Sequence, residues 1–204
     1  MNKISSLFVL LAFGLVGCFT PPGGSSAPVN FYRLDYAPAG SEDGPVGVKN
    51  TNKILVKVSS SPLLKGPRML QVSGDYEVNY AEGRRWAEPI NAAFTRIIVM
   101  GLREDFATVE GVPVPNHFRP DYRISVTVDK LWGTSKGEIV MGVRWQIADA
   151  RDNVLAESQK EIRKGGWRTG DYRQFAERVS GLMPDLVEAI KASLSSLDQS
   201  QKKS

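Results

Sequence analysis

Seven apolar residues in mid-chain, Ile90, Ala93, Phe94, Ile97, Ile98, Leu102 and Phe106, recur at i, i+3, i+4, i+7, i+8, i+12 and i+16. That spacing puts them on one side of an α-helix, and a helix with a single apolar stripe must lie on another apolar surface. Pro89 stands where a first helical turn tolerates proline, so the helix is expected to begin near Ala87 or Glu88. Gly101 weakens the helix and is read as a place of close packing rather than an end. A second stripe, Phe175, Val179, Leu182, Met183, Leu186, Val187, Ile190 and Leu194, follows Asp171, which with Gln174 forms a capping box of the Asx type. Pro184 lies within this stripe and predicts a kink.

What the two helices cover is read from period-2 segments. Phe31-Tyr32-Arg33-Leu34-Asp35-Tyr36 and Ile54-Leu55-Val56-Lys57-Val58 are strand candidates separated by a Pro/Gly/Asp-rich loop over residues 37–52. Residues 68–72 and 76–80 flank Ser73-Gly74-Asp75 and read as a hairpin. After a connection punctuated by Pro113, Pro115 and Pro120, the alternations Tyr122, Ile124, Val126, Val128 and Ile139, Met141, Val143, Trp145, Ile147 predict two half-buried strands. Residues 154–162 form a more polar, edge-like third strand of the same meander. The expected fold class is α+β: a two-layer sandwich, a mostly antiparallel sheet covered on one face by two amphipathic helices.

The chain has one cysteine, Cys18, so no intramolecular disulfide supports the fold. Lys3 and an apolar run over residues 7–16 precede it, the layout of a secretory signal. The run is well short of the ~20 apolar residues of a spanning helix. Leu15-Val16-Gly17-Cys18 resembles the lipobox of bacterial lipoproteins. The resemblance implies cleavage between Gly17 and Cys18, with a covalent diacylglycerol and an N-acyl chain on Cys18 and no other cofactor. Phe19, rather than aspartate, favours the outer membrane under the sorting rule of that class. Residues 1–17 are thus read as a signal peptide and 18–29 as the lipidated cysteine with a flexible tether of ~35 Å reach. Residues 30–197 are read as the α+β domain and 198–204 as a polar tail. A net charge of +4 is too mild to argue for nucleic acid.

Phe31-Tyr32-Arg33-Leu34, Arg85-Trp86-Ala87-Glu88-Pro89-Ile90, Asp121-Tyr122-Arg123-Ile124 and Val143-Arg144-Trp145-Gln146-Ile147 match, in order, the PqiC-like lipoproteins. Over essentially the whole mature domain the chain resembles this family, the auxiliary lipoprotein components of ABC-type, MCE-protein lipid transport systems. The resemblance implies a non-enzymatic protein on the periplasmic face of the outer membrane that docks the tip of a tunnel-forming MCE-domain partner. Self-association in rings, making a homo-oligomer, is a further expectation. The alternative from another class is a lipoprotein scaffold or activator of a cell-wall synthase or of an outer-membrane assembly machine.

Two motifs invite sharper chemistry. Gly133-Thr134-Ser135-Lys136-Gly137 matches the Gly-x-Ser-x-Gly elbow of α/β-hydrolases, but it joins two expected strands and the sole histidine, His117, precedes it. A hairpin turn is the preferred reading, and His117 has no second histidine or cysteine to share a metal. Trp86 and Trp145 are read as core rather than as a lipid site. Arg84 with Arg85, and above all the basic loop carrying Arg163, Lys164, Trp167 and Arg168, are the candidates for contact with anionic head groups or an acidic partner.

Overall fold

The computed structural model describes residues 28–37, 50–114 and 117–201. Gly17, Cys18 and the tether up to residue 27 lie outside the described residues, as do residues 38–49 of the expected loop. The elements in order are β1 (Asn30–Tyr32), β2 (Asn50–Ser60), β3 (Arg68–Ser73), β4 (Glu77–Trp86), α1 (Ile90–Leu102), β5 (Phe106–Gly111), β6 (Tyr122–Thr134), β7 (Ile139–Asp149), β8 (Val154–Lys164), α2 (Tyr172–Ser180) and α3 (Met183–Gln201).

The strands make one open sheet whose spine is β6. Along one edge β6 pairs antiparallel with β7, from Tyr122 opposite Asp149 to Gly133 opposite Ile139, and β7 pairs in turn with β8. The other edge of β6 is shared between two partners. Strand β2 runs parallel to its first half, from Ile54 opposite Tyr122 to Ser60 opposite Val128, while β3 takes over at Gly133 and Thr134. β5 lies outside β2, and β4 then β1 outside β3. The sheet is mixed: the two longest ladders, β6 with β7 and β7 with β8, are antiparallel, whereas β1 with β4, β2 with β5, β2 with β6 and β3 with β6 are parallel.

Alternation along the strands decides which face is covered. Ile54, Val56, Ile124, Val126, Met141, Val143 and Ile147 are buried under Phe94, Ile97 and Ile98 of α1 and Leu186, Val187 and Ile190 of α3. Between them, Ser125, Thr127, Arg144 and Gln146 point the other way, where Arg144 makes a two-pronged ion pair with Asp129 at 2.6 and 2.9 Å. This polar face is open to solvent, so the architecture is the expected two-layer α+β sandwich.

Local boundaries differ from the sequence reading in several places. Helix α1 begins at Ile90 rather than at Ala87 or Glu88, because β4 continues to Trp86 and Pro89 takes the N-cap position. Phe106 does not end the α1 stripe; the chain turns at Arg103, Glu104 and Asp105, and Phe106 opens β5. β1 is only three residues long, and Leu34 and Tyr36 beyond it plug into the core without a ladder. The kink at Pro184 takes the form of a break, with α2 ending at Ser180 and α3 starting at Met183, so that the proline falls in a first turn, where its missing N–H costs nothing. Helix α3 then continues to Gln201, past the start of the expected tail.

Candidate functional site

The basic loop after β8 is built around a buried indole. Gly165 and Gly166, the latter at φ +83°, let the chain leave the sheet edge, and Trp167 turns inward to 3% exposure. Its ring packs edge-on against Phe175 and Tyr172 of α2, centroids 5.6 and 5.9 Å away, and its Nε1–H donates to the Asp171 carbonyl at 2.9 Å. Only glycine fits beneath it: a methyl group on Gly133 would lie 2.1 Å from the ring. The Trp167 backbone N–H donates to the Gly137 carbonyl at 2.9 Å, tying the loop to the β6–β7 turn. On the far side, Asp171 caps α2 by accepting from the Gln174 N–H at 3.0 Å, and the Gln174 side chain accepts the Arg168 N–H at 2.7 Å.

The four loop residues singled out in the sequence therefore part company. Arg163, Lys164 and Arg168 are exposed, whereas Trp167 serves as the wedge that fixes the loop and offers no surface for contact. Arg163 is itself engaged: it lies 2.8 Å from Glu161, which also meets Lys130 at 2.6 Å. Lys130 and Arg163 together hold the Glu161 carboxyl below the usual carboxylate range. Among the described residues no carboxylate lies within ion-pair distance of Lys164, Arg168 or Lys136, the last in the β6–β7 turn. These three cations, held on a fixed frame, are suited to binding anions.

The Gly-x-Ser-x-Gly segment is the β6–β7 turn, as expected. The Ser135 N–H donates to the Val72 carbonyl at 3.1 Å, and the segment joins two strands instead of leading from a strand into a helix. His117 is exposed on the connection that enters β6 from its opposite end. Trp86 and Trp145 are core residues: Trp86 packs 5.9 Å from Phe175, and the Trp145 Nε1–H donates to Ser193 Oγ at 3.2 Å. Arg84 lies near Tyr172, whose hydroxyl burial pushes up while the Arg84 charge opposes the shift.

Sequence reasoning missed one feature of this end of the molecule. Tyr76, Val78 and Tyr80 of the β3–β4 hairpin are exposed, Tyr76 at 96%. Val78 and Tyr80 share one face of β4 and Tyr76 precedes them in the turn, an apolar pattern legible as a strand but not as an uncovered one.

A family model described as the ABC-type transport auxiliary lipoprotein component matches residues 32–200. No curated protein matches the chain. Among solved structures, a Xanthomonas campestris protein of family DUF330 is similar with a TM-score of 0.68 at 15% identity, over 86% of this chain and 99% of that one. An uncharacterized protein follows at TM-score 0.62 and 14% identity, over 82% and 99% of the two chains. A PelC dodecamer from Paraburkholderia phytofirmans aligns at TM-score 0.41 and 18% identity, over 72% of this chain and 90% of that one, too loosely to bear on assembly.

Proposed function

The chain belongs to the family of ABC-type transport auxiliary lipoprotein components, and from that premise we propose that it is anchored through Cys18 in the outer membrane, facing the periplasm, and docks an MCE-domain tunnel protein there. A lipoprotein component of a transport system works in the cell envelope, and its family is one of auxiliary transport components rather than of enzymes. The observation that carries the reading is the reach of the family match, which begins at Tyr32, just after the tether, and runs into α3.

The physics of the cargo favours a docked, covered route. Each CH₂ of an acyl chain exposed to water costs ~0.8 kcal/mol, so a diacyl lipid crosses an aqueous compartment slowly unless a continuous apolar path spans it. An accessory held at one membrane secures the end of such a path, catalyses nothing, and supports membrane integrity by keeping the route closed.

Affinity purification of the full lipoprotein from its native membranes in mild detergent tests this. Recovery of an MCE-domain protein is expected, together with an acylated N-terminal cysteine by intact mass and loss of membrane retention in Cys18→Ser. Recovery of cell-wall synthases or outer-membrane assembly factors in its place would overturn the transport reading.

A further inference from the structure

The end of the sheet that carries the basic loop also carries the exposed hairpin. Because β3 runs parallel to β6, with Val72 opposite Thr134, the β3–β4 tip and the β6–β7 turn lie at the same end, joined by the bond from the Ser135 N–H to the Val72 carbonyl. The β8 terminus joins them through the pairing of Lys164 with Ile139. Tyr76, Val78 and Tyr80 thus share one end of the molecule with Lys136, Lys164 and Arg168. Tyr80 is held in place within the hairpin, its ring under the Arg68 guanidinium at 4.8 Å and its hydroxyl donating to the Leu63 carbonyl at 3.4 Å.

The chain also enters the fold from this side. β1 is parallel to β4, with Asn30 opposite Arg84, so the residues before it arrive from the direction of the hairpin tip, and Pro28 rests against Gly83. Nine residues separate Cys18 from Pro28, a span of at most ~36 Å.

We propose that this end of the domain seats on an anionic membrane surface, with Tyr76, Val78 and Tyr80 at head-group depth and Lys136, Lys164 and Arg168 against lipid phosphates. The proposal rests on the lipid-anchor reading of Cys18. Tyrosine suits the boundary between acyl chains and water because its ring is apolar and its hydroxyl is not. Cations beside it gain from the negative surface potential within a Debye length. Asp75 and Glu77 are exposed at the same end of the hairpin and limit its depth, so the seat is shallow and salt-sensitive. It would orient the domain relative to the bilayer, which the tether alone cannot do.

The test uses the full acylated chain in phosphatidylcholine vesicles with and without phosphatidylglycerol. Cys18 is the sole natural cysteine and its sulfur is acylated, so Tyr76→Cys and Val154→Cys each supply one thiol for an environment-sensitive fluorophore. Val154 lies at the opposite end of the sheet and is also exposed. Head-group quenchers should reach the label at 76 in anionic vesicles and leave the label at 154 untouched. The double charge reversal Lys164→Glu with Arg168→Glu should reduce the seated population about fivefold or more, with flotation unchanged.

Equal, weak quenching at both positions while the protein floats would overturn the seat and leave the anchor standing. A label at 76 that stays wet on vesicles but is shielded when a partner protein is added would overturn it in favour of a protein interface. Failure to float would overturn the anchor and the seat together.

Discussion

Lys191 of α3 places its Nζ 2.7 Å from Glu104 Oε2, in the turn that follows α1. Asp105 and Glu188 complete the ring at 3.1 Å each, and the Tyr36 hydroxyl donates to the other oxygen of Glu104 at 3.0 Å. The lysine side chain is only 11% exposed, so one cation holds the middle of α3, the turn after α1 and the segment leading from β1. Replacing it with Lys191→Met leaves three carboxylates facing one another. A loss of about 1–2 kcal/mol is expected, since the carboxylates remain partly solvated, and it reads as a lower urea midpoint with unchanged slope.

The same cluster sets an alkaline limit. Burial alone pulls the Lys191 ammonium down, but its hydrogen bonds to Glu104, Glu188 and Asp105 outweigh that and hold it above the usual lysine range. Burial, then the bond to Glu104, pushes the Tyr36 hydroxyl up to about 12. Both groups keep their protons longer folded than unfolded. Their contribution is therefore intact below the ordinary values of 10.0 and 10.5 and is lost as pH climbs through the raised ones. Denaturation midpoints should fall steeply above about pH 10, and less steeply in Tyr36→Phe; equal slopes would contradict the assignment.

Two glycines are set by what lies against them. A methyl group on Gly101 would meet Val187 Cγ1 at 2.4 Å and force α1 away from α3, and one on Gly133 would strike the Trp167 ring. Gly101→Ala and Gly133→Ala should each cost about 1–3 kcal/mol despite better intrinsic propensity in the helix, visible as a lowered melting temperature. In Gly133→Ala the basic loop should also become accessible to protease, because its wedge is displaced.

Asp171→Ala removes the cap of α2 at a cost of about 1 kcal/mol. The Trp167 indole bonds to the backbone carbonyl of that residue, which the substitution keeps. Tryptophan fluorescence should then stay that of a buried ring while stability drops, separating the cap from the wedge.

The long periodic segments were legible because burial on one face writes its period into the residues. Ile124, Val126 and Val128 opposite Val143, Trp145 and Ile147 read as a meander before any pairing was known. β5 was not, because it buries only Phe106 and Val109 and its first residue falls on the α1 repeat, so it looked like one more helical turn. Parallel pairing such as Val56 with Ile124 leaves no local trace, since both strands show the same alternation whatever their direction. Trp167 was misplaced for a related reason: flanked by glycines and cations it reads as exposed, and what buries it is Phe175 and Tyr172 on a helix not yet formed at that point in the chain.

Strand β6 has neighbours on both edges, with β7 on one side and β2 then β3 on the other. Neither half of the sheet can peel off without stripping a ladder from that strand, so loosening at one end is felt at the other. The amides of Ile124, Val126 and Val128, enclosed by ladders and beneath the helices, should exchange with solvent only when the entire domain opens. Such a body transmits a pull: tension along the tether is met first by β1, three residues paired only with β4, and what passes that strand displaces the rest of the fold as one rigid object.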